Sequence, residues 1–144
     1  MTLLALFAIA CSAAGSDDVR TLAIREKRVL LGPEPAVVTM RVDRGRLRAS
    51  AGALALRIEG LAVSRRPDTV FEIYLGERHG EPAGSLSFYG VEGENGRAVR
   101  DVPVTIAAVE AALGRGSSLR VIIVPAPGGQ PGRSSFASLR LIRQ

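Results

Sequence analysis

The chain has 144 residues, 47% of them hydrophobic, with one histidine, one cysteine and no tryptophan. That length holds one packed domain and excludes two full ones, while a lone His79 and a lone Cys11 exclude a His/Cys zinc site, a CxxC pair or a multi-histidine copper centre assembled from this chain. The formal charge of +5 points first to a polyanion, but Lys27 is the only lysine and the arginines run through the whole chain, so most are expected on solvated strand faces and no nucleic-acid partner is expected.

Leu3 to Ala10 is an apolar run of eight, too short for a membrane span of about 20 residues and suited to a signal-peptide core. Ser12-Ala13-Ala14 offers an A-x-A-like cleavage site before Gly15. Ala8-Ile9-Ala10-Cys11 is similar to a lipobox, with Ala8 where leucine is usual; Cys11 would then carry the lipid and give the only link to a membrane. Residues 1–15 are therefore read as a signal or lipoprotein leader and the protein as exported: periplasmic, secreted or lipid-anchored. The leader lacks Lys and Arg, which keeps a cytoplasmic gene fragment as the alternative. Residues 16–25 read as a flexible segment, and residues 26–144 as the folded domain.

From Arg28 onward, short period-2 segments are punctuated by Gly, Pro and Asp, the pattern of an antiparallel sheet protein. Val38, Met40 and Val42 alternate with Val37, Thr39 and Arg41; Leu54, Leu56 and Ile58 alternate with Ala55, Arg57 and Glu59 until Gly60 interrupts. Both read as half-buried strands. Between them Asp43-Arg44-Gly45-Arg46 reads as a turn, and residues 64–68 as a loop with a proline. Phe71, Ile73 and Leu75 form one strand and Leu86 and Phe88 another, joined through a hairpin loop at residues 77–82, with a further exposed turn at residues 92–97. Ile106, Val109 and Leu113 repeat at helical spacing, with Thr105 able to cap the start and Gly114 the end. Leu119 to Val124 is almost wholly apolar and β-branched, hence a central strand; residues 125–134 form a loop, and Phe136 to Ile142 closes the fold with Leu139 and Leu141 on one face. The fold class expected is all-β and mainly antiparallel, a β-sandwich or jelly-roll-like barrel of about seven or eight strands with one short helix.

No nucleophile elbow, P-loop, HExxH or paired-carboxylate spacing occurs. A hydrolytic triad would need His79 as its base, yet His79 lies between Arg78 and Gly80 at a hairpin tip, where burial and orientation are hard to supply. Stacking platforms need exposed aromatics, and only Tyr74 and Tyr89 fall in the outward phase. If their strands pair through the 77–82 loop the two could be neighbours, more simply as a sheet-stabilising pair than as a ligand platform.

The order of Val70–Gly76 (VFEIYLG), Ala83–Gly90 (AGSLSFYG), the helix at 105–113, Leu119–Pro125 (LRVIIVP) and Leu139–Ile142 resembles the C-terminal domain of tyrosinases and polyphenol oxidases (catechol oxidases), and Arg28–Val42 and Leu54–Leu61 look like its opening strands. The resemblance covers about residues 26–144. It implies a β-sandwich that packs on a helical dicopper domain and shields its active-site entrance without being catalytic. It also implies a tyrosinase-like copper-domain protein as partner, with copper held there and no cofactor in this chain. The helix-borne histidines of the copper domain are absent, and no residue matches the bulky plug that often enters the copper site. The chain thus reads as a shield acting on a separate or formerly fused o-diphenol oxidase. Tyr74, His79 and Tyr89 are the candidate interface residues, and no catalytic or metal-binding residue is assigned. The alternative is an exported module that binds an anionic glycan, lipid surface or protein.

Overall fold

A computed structural model describes residues 20–50 and 52–144, so the leader and Cys11 lie outside the described residues. The elements, in chain order, are β1 (Arg20–Arg25), β2 (Val29–Leu31), β3 (Ala36–Arg41), α1 (Arg44–Ala49), β4 (Leu54–Arg65), β5 (Phe71–Leu75), β6 (Gly84–Leu86), β7 (Ala98–Val104), α2 (Ile106–Leu113), β8 (Ser118–Pro125), β9 (Arg133–Phe136) and β10 (Ser138–Arg143). Every strand pairing is antiparallel. A six-stranded sheet runs β1-β10-β4-β9-β2 with β7 also on β4, and a four-stranded sheet runs β3-β8-β5-β6. The two face each other as a β-sandwich; they do not close into a barrel.

The alternation read from sequence fills the space between the sheets. Val38, Met40, Leu54, Leu56, Ile58, Phe71, Ile73, Leu119, Val121, Leu139 and Leu141 are all buried in one core. Burying each such side chain contributes on the order of 1.5–3 kcal/mol, which makes this pattern the main source of stability. Phe71 and Phe88 meet edge to face, with ring centroids 5.8 Å apart. As expected, β8 is central, between β3 and β5. Its outward Ile122 is also buried, because the strand register sets it between Val37 and Tyr74.

Four details depart from the sequence reading. Arg20–Arg25, placed in a flexible segment, is β1, held by β10 with Leu22 and Ala23 buried. Residues 44–49 form a helix where a turn was expected: Asp43 caps it by accepting a hydrogen bond from the Arg46 N–H, and Leu47 anchors it in the core. Strand β7 was not foreseen; Pro103 sits in it harmlessly because β7 pairs only with β4 and so lies at an edge. Gly60 bends β4 instead of ending it. At φ +73° it introduces a register shift, and there β4 changes partner from β10 to β9, which are themselves separated at Ala137. Such breaks also explain why ten strands are found among the described residues where seven or eight were expected.

The helix at 106–113 forms as read. Thr105 Oγ1 accepts from the Ala108 N–H at 3.1 Å, and Gly114 ends it at φ +57°. Val109 and Leu113 join the core, Ala112 lies against Gly76, and Arg48 of α1 comes within 4.0 Å of Glu110. Both helices therefore close the same end of the sandwich. Along one side, Gly84 of β6 lies so close to Val102 of β7 that a side chain there would collide. On the other side β1 approaches β3 without pairing, and a groove opens.

Candidate binding site

The hairpin predicted at residues 77–82 joins β5 to β6, with Phe71 opposite Leu86 and Ile73 opposite Gly84. His79 stands at its tip, 79% exposed, with Nε2 3.0 Å from Glu77 Oε2. Such an exposed pair is screened by water and contributes little.

The same register separates the two tyrosines. Tyr74 follows Ile73 toward the loop, whereas Tyr89 lies beyond Leu86 at the opposite end, so they do not form a cross-strand pair. Tyr74 is half-buried opposite Ile122, and its hydroxyl donates to Glu72 Oε2 at 2.9 Å. That hydrogen bond to a carboxylate pushes the phenol above its ordinary value. Tyr89 is 86% exposed in a turn whose carbonyl accepts from Arg100 Nη2 at 2.6 Å. The three candidate interface residues are therefore not gathered on one patch: Tyr74 and His79 lie toward the β5–β6 hairpin tip, Tyr89 at the far end.

The outer face of the six-stranded sheet is charged but internally neutralised. Arg57 donates from Nε and Nη2 to the two carboxylate oxygens of Asp101, at 2.9 and 3.0 Å, across the β4–β7 register. This fork holds the Asp101 carboxyl below the usual carboxylate range and raises the Arg57 guanidinium. Arg140 Nε lies 2.8 Å from Glu59 on the neighbouring strand.

Cations gather elsewhere without that compensation. A groove of about 730 Å³ runs along β3, with Arg25, Lys27, Arg28, Val29 and Leu30 forming its opposite wall. All six β3 residues line it, from both faces, so the strand's edge forms the wall. Four cations, Arg25, Lys27, Arg28 and Arg41, border the groove, no carboxylate does, and none of the four pairs with a carboxylate among the described residues. Leu30, 72% exposed, forms a ridge between this groove and a second one of about 720 Å³ at the sandwich end, where Arg65, Arg66 and Arg133 converge with Glu34.

Sequence reading missed this concentration because its members come from the end of β1 and the β1–β2 connection, from β3, from the end of β4 and the loop after it, and from the start of β9, which only the fold assembles. The one local signal was Arg25-Glu26-Lys27-Arg28. Among the described residues no three of His, Cys, Asp and Glu come together as metal ligands, and no helix is long and apolar enough to cross a membrane. Comparison with protein-family models, with curated proteins and with solved structures yields no match.

Proposed function

We propose that this chain is a non-catalytic accessory or shielding domain, similar to the C-terminal domain of tyrosinases and polyphenol oxidases, that packs over the dicopper site of a separate or formerly fused o-diphenol oxidase. The reading is supported by one observation above the rest: the five segments carrying the resemblance fall on β5, β6, α2, β8 and β10 of a single sandwich, in the same order. His79 stands exposed at a hairpin tip beside an equally exposed Glu77, a setting that gives a general base no desolvation. On this reading copper belongs to the partner, and the chain works outside the cytoplasm, with residues 1–15 as leader and Cys11 as the lipid site if it is anchored.

The test is to purify the chain, measure copper and o-diphenol oxidation, and then add it to a tyrosinase-type copper protein stripped of its own shield. Copper-free, inactive protein that co-elutes with the oxidase and slows its turnover is expected; a copper-loaded, active chain overturns the reading. Mass spectrometry of the mature N-terminus tests export, and an unmodified Met1 overturns it.

The second reading, an exported module for an anionic glycan, lipid surface or protein, is favoured by the uncompensated cations around the β3 groove. Salt-sensitive polyanion binding without affinity for a copper oxidase supports it.

A further inference from the structure

We propose that the groove beside β3 is a strand-addition site for an acidic, extended segment of a partner protein. The inference deepens the second reading above and is independent of the first.

The first argument is the edge itself. Val42 donates its N–H to the Ser117 carbonyl of the strand pair at 2.7 Å, and the β3–β8 register continues from there without a shift. In an antiparallel ladder such hydrogen-bonded positions alternate. Met40, Val38 and Ala36 therefore face β8, and the N–H and C=O groups of Val37, Thr39 and Arg41 face the groove. Neither β1 nor β2 pairs with them.

The other edges are blunted and this one is not. Strand β1 carries a register shift, β7 carries a register shift and Pro103, and β2 and β6 are only three residues long. Strand β3 offers six residues with no bulge and no proline. An edge of that kind is a template for another strand unless something covers it.

Charge then selects the occupant. Arg25, Lys27, Arg28 and Arg41 border the groove with no acid among its lining residues. Exposed Leu30 and Val37 give an entering strand apolar contacts between the charged ones. Main-chain pairing supplies affinity, and alternate side chains supply choice. A segment alternating Glu or Asp with Val or Ile fits both features, and salt weakens its attachment.

The experiment uses the purified full chain and a labelled eight-residue peptide of alternating Glu and Val, followed by anisotropy and by amide exchange. Saturable binding that falls with salt is expected, with slowed exchange at the Val37, Thr39 and Arg41 amides. Exchanging every Glu for Lys, or methylating alternate peptide nitrogens, should weaken binding at least about tenfold, the effect of 1.4 kcal/mol. Thr39→Pro removes an outward N–H without a β8 ladder bond, and Lys27→Glu with Arg41→Glu reverses two charges; both should do the same while thermal unfolding shows the fold intact. Should Thr39→Pro destabilise the chain, the N-methylated peptide still tests the edge on unaltered protein. Binding that ignores N-methylation overturns strand addition. So does undiminished binding of the peptide by folded Thr39→Pro protein, although that result, with heparin or anionic vesicles bound as well, keeps the broader anionic-ligand reading. Self-association that occupies the β3 edge and is unaffected by the peptide overturns the choice of partner.

Discussion

Replacing Gly60 by alanine tests the account of how the six-stranded sheet bends. Gly60 has φ +73°, and a Cβ built there falls 2.6 Å from Ala137 Cβ and 3.2 Å from Ala137 N. Two costs follow from that geometry. The left-handed backbone costs a non-glycine residue about 1 kcal/mol, and the collision, which backbone on both strands must relieve, costs about 1–3 kcal/mol. The sum, about 2–4 kcal/mol, is a large share of a typical domain's stability of about 5–15 kcal/mol. It should lower the melting temperature by roughly 6–15 °C for a domain of this size. The control is Gly90→Ala, where φ is +77° but nothing lies within 4 Å of the added carbon; only the backbone cost of about 1 kcal/mol should remain. Adding Ala137→Gly to Gly60→Ala should recover part of the steric cost, so the pair is non-additive. Urea and thermal unfolding followed by circular dichroism measure all four proteins. If Gly60→Ala proves no less stable than Gly90→Ala, the close approach of β4 to Ala137 is wrong.

Thr105→Ala removes the hydroxyl that accepts from the Ala108 N–H and should cost about 1 kcal/mol in urea unfolding. The Asp101 carboxyl is depressed by Arg57, so its contribution is fully present above the unfolded value of about 3.9 and is lost as pH falls through the lower folded value. The stability gap between the parent and Asp101→Asn should therefore be open at neutral pH and close in strong acid. Glu72→Gln removes the carboxylate that raises the Tyr74 phenol, and in a Tyr89→Phe background the ultraviolet titration of Tyr74 should move down toward about 10.

Period-2 alternation was enough to reveal the sandwich, because Val38, Met40, Leu54, Leu56, Ile58, Leu139 and Leu141 each bury one face of a strand. Helix α2 was legible for a local reason, since its cap residues Thr105 and Gly114 flank a helical repeat. What failed to show in the sequence was non-local. Arg20–Arg25 becomes a strand only because β10, more than a hundred residues later, pairs with it. Tyr74 and Tyr89 share an outward phase, yet phase does not determine position along a hairpin; the register Phe71 to Leu86 does. The cationic groove is hidden for the same reason, since Arg41 joins Arg25, Lys27 and Arg28 only when β3 folds back beside the β1–β2 connection.

Strand β10 has a consequence for how the molecule is made. It lies between β1 and β4, so the larger sheet has no continuous middle until a segment more than a hundred residues after β1 pairs with it. Pairings this distant in sequence close late and slowly. A nick in the loop at 126–132 would cut the covalent link from β9 and β10 to every strand they pair with, leaving those long-range ladders to hold two separate pieces of chain together.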